Sequence, residues 1–303
     1  MTDYIKHHGT TIEFPSGNSW VILSPIEKRI KEKIERVGIP LKDWDISINY
    51  GIKTGCNEAF IIDKQKRDEL IKADNKSAEI IRPILRGRDI KRYGYEFAEQ
   101  YIIATFPSKK YNIDNYPAIR DYLLGYGKKK LEQSGKPGAR KKTSHKWFET
   151  QDPINYWDDF SKQKILWAET MRIHRSDVQN FPRFGFTGEE VFTDKTCFFA
   201  TGNRLYYILA YLNSFLGRYL CKRYVTILDN GGYLMQKIFI EKIPIINLSV
   251  PHIQDLENLC KNRLKNNTEA SELEINRKIF NFCGFEKNEV KYIENDIFEV
   301  LLR

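Results

Sequence analysis

The chain has 303 residues, enough for one large or two ordinary domains with a sizeable core, and its 41% hydrophobic and 13% aromatic content excludes a disordered polymer. Apolar runs of only a few residues exclude a membrane span, and the polar start "MTDYIKHHGTTIEF" is unlike a secretory leader, so a cytoplasmic protein is expected. Of 49 basic and 40 acidic residues, 250–303 hold 8 and 10, which leaves 41 basic against 30 acidic on 1–249 and makes that part the candidate polyanion surface.

Residues 1–18 read as a tether or an artificial end, without period. A helix and linker follow over 19–44: Ser24 suits an N-cap, Pro25 the first helical position, Glu27 the capping-box position and Gly38 the stop. Ile26, Ile30, Ile34 and Val37 fall on one stripe that must dock. Short strands are expected next in "DISINYGI", "EAFIID", "YGYEF" and "YIIATF", interrupted by a polar helix, "KQKRDELIKAD", and an apolar turn, "EIIRPILRG". "NYPAIRDYLLGY" predicts a helix opening near Pro117.

Residues 127–147, with eight Lys or Arg, one Glu and three Gly, have loop composition and predict a mobile segment. Strands return in "KILWAET", "RFGFT", "EEVFT" and "TCFFAT", so a β-rich region spans 45–201 with helices inserted. Over 202–303, "NRLYYILAYLNSFLGRYLCKRY" predicts one long buried helix, "GGYLMQKIFIEKIPI" an extended stretch ending at Pro244, and the tail two or three amphipathic helices. That order implies an α+β fold with a C-terminal helical region.

Catalytic strings are missing. Adenine methylation needs a glycine-rich turn for the methyl donor and an Asn-Pro-Pro-aromatic tetrapeptide, yet no two prolines are adjacent. Gly125-Tyr126-Gly127 lacks the third glycine and reads as a helix end. Asp89-Ile90-Lys91 is crowded by Arg86, Arg88 and Arg92, which oppose a divalent metal. The five histidines and five cysteines show no metal-ligand spacing, so no metal site is expected and the thiols read as reduced and buried.

What remains suits a polyanion with readable edges. Arg86, Arg88, Lys91 and Arg92 in "RGRDIKRYGY" form a candidate phosphate grip, with Tyr93 and Tyr95 to pack on sugar or base. Lys128, Lys129, Lys130, Arg140, Lys141 and Lys142 place a basic loop for a groove. Arg172, His174 and Arg175 leave a strand end, where forked donors meet guanine edges. An RNA-binding protein ranks below duplex DNA, because no RNP-like aromatic motif is present.

The chain also resembles the TaqI-like specificity domain at the C-terminal end of adenine-specific DNA methyltransferases and type IIG restriction-modification enzymes. That resemblance rests on "PLKDWDISINYGIKTGCNEAFIID", "EIIRPILRGRDIKRYGY", "YPAIRDYL" before a basic stretch ending in "KWFE", "KILWAET", "FTDKTCFF", "LAYLNSFLGRYL" and "EKIPI", seven strings in order, and covers about Trp20 to Ile297. It implies that 45–201 is the target-recognition region, with phosphate or base contacts at the 51–57 turn (Lys53, Thr54, Asn57) and the 86–92 turn. As partners it implies double-stranded DNA and an N-terminal methyltransferase domain, with or without a nuclease. Neither catalysis nor a cofactor is expected in this chain; S-adenosylmethionine, and magnesium for a nuclease, belong to the parent. The alternative is that the parent's methyltransferase or endonuclease activity is the proper description.

Overall fold

A computed structural model of the chain describes residues 23–173, 177–229, 231–266 and 268–301. In chain order the elements are α1 (Pro25–Val37), β1 (Gly38–Pro40), β2 (Ile46–Tyr50), α2 (Asn57–Phe60), β3 (Ile61–Asp63), α3 (Lys64–Ala73), β4 (Ile81–Leu85), β5 (Ile90–Lys91), β6 (Gly94–Tyr95) and β7 (Gln100–Ile103). Next come α4 (Pro117–Gly125), α5 (Lys128–Leu131), β8 (Lys164–Ala168), β9 (Thr170–Arg172), β10 (Gly185–Thr187), β11 (Phe192–Thr193), β12 (Cys197–Gly202), α6 (Leu205–Asn213) and α7 (Phe215–Tyr224). The chain continues through β13 (Thr226–Ile227), β14 (Gly232–Leu234), α8 (Lys237–Ile240), β15 (Pro244–Ile246), α9 (Val250–Asn266), α10 (Glu269–Cys283) and α11 (Lys287–Leu301). This is the expected α+β fold with a helical C-terminal region.

Side-chain alternation along two four-stranded sheets builds a layered body. One sheet runs β10-β8-β12-β2, all antiparallel; the other runs β11-β4-β7-β3, with β11 parallel to β4. On β8, Ile165 and Trp167 point to one face and Leu166 to the other, as the two-residue period of a strand requires. Leu166 and Phe199 of the first sheet meet Ile84, Ile102 and Phe192 of the second in a core between the sheets. The outer face of the first sheet packs on α1, α6, α7, α9 and α10, whereas Ile81 and Ile103 face α2 to α5 on the far side of the second.

The first helix follows the sequence expectation in detail. The Glu27 amide donates to Ser24 Oγ at 3.4 Å and the Ser24 amide to Glu27 Oε2 at 2.9 Å, closing the capping box, and Ile30 and Ile34 are buried. Gly38 ends the helix in extended backbone. A Cβ there would stand 2.8 Å from both Ile34 O and Pro244 Cβ, so the bare backbone lets β1 pair with β15.

Four local expectations are overturned. "EIIRPILRG" is not a turn but supplies β4, because Pro83 sits where the strand tolerates a missing donor and Ile84 and Leu85 reach the core. The first half of "EAFIID" is the helical turn α2. Nor is the 205–224 helix continuous. Ser214 turns to extended backbone and its Oγ accepts from the Gly217 amide at 3.0 Å, capping α7; the Phe215 amide donates to Asn276 Oδ1 at 2.6 Å. The stretch "GGYLMQKIFIEKIPI", moreover, is not extended throughout, since Lys237–Ile240 form α8, and Pro244 opens β15 and does not close a run.

Asn276 therefore holds the break from α10, and its Nδ2 donates to Glu272 O at 2.8 Å. Replacing it with Leu removes the acceptor for the Phe215 amide, and we expect a loss of about 1–3 kcal/mol, read as a lower urea midpoint at unchanged slope. An unchanged midpoint would mean that Ser214 alone sets the break.

All five cysteines are buried and unpaired. No helix among the described residues is long and apolar enough to cross a membrane.

Candidate nucleic-acid interface

Where β4 ends, Arg86 folds back onto Asp89 two-pronged, Nε to Oδ2 and Nη2 to Oδ1 both at 3.0 Å. The intervening Gly87 is pressed onto the sheet: its amide donates to Thr196 Oγ1 at 3.0 Å, and a Cβ would sit 3.1 Å from Ala168 Cβ. Pinned at both points, the turn exposes Arg88, which has no carboxylate within ion-pair distance among the described residues. Lys91 follows, paired with Glu96 at 3.2 Å. Asp89 is buried against Arg86, which fits the structural reading of the Asp-Ile-Lys string.

Arg92 points the other way. It pairs with Glu272 and donates to Asn213 O, which ties the turn to α10 and the α6 end. Tyr93, expected to pack on sugar or base, is buried between the guanidinium groups of Arg92 and Arg263, 5.0 and 4.9 Å from its ring centre, with φ +67°. Its phenol has no hydrogen-bond partner among the described residues, and burial pushes it well above its ordinary range. Tyr95 stays half-exposed and donates to Glu189 at 2.8 Å.

Across from this turn runs β9, paired with β14 so that Arg172 faces Gly232 and Thr170 faces Leu234. The exposed Arg172 and the 87–92 turn form two walls of one groove of about 960 Å3, whose lining also includes Glu169, Asn180, Arg183, Thr196 and Arg263. The fold thus joins Arg88, Lys91, Arg92 and Arg172 across more than eighty residues of chain. His174 and Arg175 lie outside the described residues.

Sequence reasoning missed two cations here. Arg183 Nη1 donates to Arg172 O at 3.3 Å, and Arg263 enters from α9. Arg183 stands alone between Pro182 and Phe184, without the neighbouring charges that mark a cluster, and Arg263 lies in the acidic tail.

Other expected contacts do not line the groove. Thr54 is buried; its Oγ1 donates to Asn57 Oδ1 at 2.6 Å and accepts from the Cys56 amide at 3.1 Å, which shapes the 51–57 turn. Lys53 is exposed, and with Lys141 and His145 it surrounds Asp152, whose carboxyl is nonetheless pushed up by burial. Lys128, Lys129, Lys130 and Lys142 are exposed, and Lys130 stands over the Tyr126 ring at 5.8 Å. Lys53 and Lys141 thus belong to a second basic surface.

Arg140 departs furthest from expectation, since it is buried where an exposed phosphate contact was foreseen. Nε donates to Leu131 O at 2.8 Å, Nη1 to Thr54 O at 2.7 Å and Glu149 O at 2.8 Å, and Nη2 to Trp147 O at 2.6 Å. Burial lowers its guanidinium to about 10. Gln133 adds bonds to Lys146 O, Glu149 O and Thr150 O, so the stretch 127–147 is anchored from within and begins with the short helix α5.

Gly125-Tyr126-Gly127 closes α4, and Gly127, at φ +88°, enters α5 without a preceding strand, so these residues do not fit a methyl donor. Among the described residues no three His, Cys, Asp or Glu gather as metal ligands.

The sequence matches no family profile and no curated protein. Solved structures do match. Type IIL restriction-modification enzyme MmeI, solved in complex with DNA, superposes with a TM-score of 0.61 at 15% identity over 86% of this chain and 35% of its own. The type IIG restriction endonuclease BpuSI superposes with 0.55 at 14% identity over 91% of this chain and 33% of its own. This chain spans about a third of the length of either, and its fold is that of a portion of restriction-modification enzymes.

Proposed function

We propose that the chain is a DNA target-recognition part of a restriction-modification enzyme, a TaqI-like specificity domain that reads duplex DNA in the cytoplasm and leaves catalysis to a methyltransferase elsewhere in the parent. The observation that carries this reading is the groove, where cations from the 87–92 turn, β9 and α9 converge on one cleft. Region 45–201 supplies most of the reading surface, and 202–303 braces it through Arg92 and Glu272. In the parent the methyl donor, and magnesium for a nuclease, would bind outside this chain.

Within the groove the partners divide the labour. Lys91, pinned by Glu96 at the wall, and the free Arg88 suit phosphates, whereas Arg172 extends from a paired strand and suits a base edge. Binding of the chain to a randomised duplex library at two salt concentrations tests this. Arg88→Ala and Lys91→Ala are expected to weaken all sequences alike and to lower the salt slope by about one each. Arg172→Ala is expected to cost about 1–3 kcal/mol on preferred sequences and little on others. A wild-type chain without base preference would overturn the specificity reading.

A further inference from the structure

Glu169 carries an inference about what is read, resting on the DNA reading above. Phosphates repel a carboxylate, so an acid on the wall of a DNA-binding cleft is either neutralised by a cation or faces a hydrogen-bond donor on a base. Of the other three acids on this wall, Glu96 is neutralised by Lys91, Asp177 accepts from Asn180 Nδ2 and lies in the field of Arg183, and Glu269 stands in the first turn of α10, where the helix N-terminus favours an acid. Glu169 differs: among the described residues no Lys or Arg stands within ion-pair distance of it, and its partner is an amide, Gln236 Nε2, donating to Oε1 at 2.9 Å.

The position is also rigid. The Glu169 amide donates to Thr196 O at 2.7 Å, and Glu169 O accepts from the Met235 amide at 2.7 Å, so the residue is clamped between β12's approach and the segment after β14. Gln236 fixes one carboxylate oxygen; among the described residues no hydrogen bond reaches Oε2, and Glu169 lines the groove. Arg172, three residues on, brings donors to the same groove.

We propose that Glu169 is a specificity-determining residue that accepts a hydrogen bond from the exocyclic amino group of a base, cytosine N4 or adenine N6, in the major groove, with Gln236 as its positioning residue. Cytosine and adenine present that amine; guanine and thymine present a carbonyl there. The expected result is a wild-type preference for an amino base at one position of the library, its identity giving cytosine or adenine. Glu169→Gln is expected to relax that position by roughly 5- to 100-fold while preferences elsewhere persist. Gln236→Met is expected to relax the same position more weakly and to leave non-specific affinity unchanged, which a merely structural defect would not do.

Thermal melting of each variant checks that it folds. Should Glu169→Gln fold and keep every wild-type preference, the inference fails and the DNA reading stands. Relaxation at all positions together would likewise reject a base-specific role for Glu169. If the wild-type chain shows no base preference, the specificity reading itself fails and takes this inference with it.

Discussion

Arg140→Leu is expected to destabilise the protein by about 3–5 kcal/mol, because the change leaves three buried or half-buried carbonyls without a donor, and a fourth with Gln133 alone, while filling the site with an apolar chain. Those carbonyls belong to Leu131, Thr54, Glu149 and Trp147, so one guanidinium ties the 51–57 turn to both ends of the basic segment. Its plane also lies 5.0 Å from the centre of the Phe60 ring, which makes the site a stacked as well as a bonded one. Lys is a poor substitute, since three donors on a point charge cannot reproduce this fork. Two measurements check the expectation: urea unfolding for the stability loss, and limited proteolysis for release of 127–147. An Arg140→Leu protein with wild-type stability and an equally resistant segment would show that Gln133 and the buried Leu131 suffice as anchors.

How far the sequence reveals this molecule depends on whether a feature is local. The capping box at Ser24 and Glu27, the polar helix α3 and the helix at Pro117 are written in adjacent residues, and all appear where expected. The break at Ser214 depends on Asn276, sixty residues away, which no helical periodicity can show. The same limit governs the site. A cluster such as Arg86 to Arg92 is visible as charge density, but whether each member faces solvent is decided by distant partners: Asp89 takes Arg86, Glu272 takes Arg92, and Arg88 is left outward. Arg140 shows how charge density misleads, since it looks like its neighbours Lys141 and Lys142 but is drawn inward by carbonyls from three segments. Glu169 was hidden for the opposite reason, as a lone acid among apolar strand residues.

Lys164→Met is expected to change little at pH 7 and to destabilise by about 1–3 kcal/mol at pH 10, because two opposing contributions separate with pH. Lys164 opens β8 fully buried, its Nζ donating to Phe160 O at 2.6 Å, Glu189 O at 2.8 Å and Lys162 O at 3.0 Å. Burial pushes the ammonium down to about 8 from an ordinary 10.5. Below pH 8 it is charged in both folded and unfolded chains, and the full cost of burying the charge stands. Between about 8 and 10.5 the folded chain has released the proton that the unfolded chain still holds, so unfolding takes up a proton and wild-type stability rises with pH relative to a protein lacking the group. In the Met variant the three carbonyls lose their donor at every pH, but at neutral pH that loss is offset by removal of the buried charge. At pH 10 the offset has gone and the loss is uncovered. Urea unfolding of both proteins at pH 7 and pH 10 measures the difference, and taking the difference cancels the titration of the tyrosines common to both. An equal difference at the two pH values would mean that Lys164 titrates alike in the folded and unfolded chains, with its three carbonyl acceptors fully compensating the loss of water.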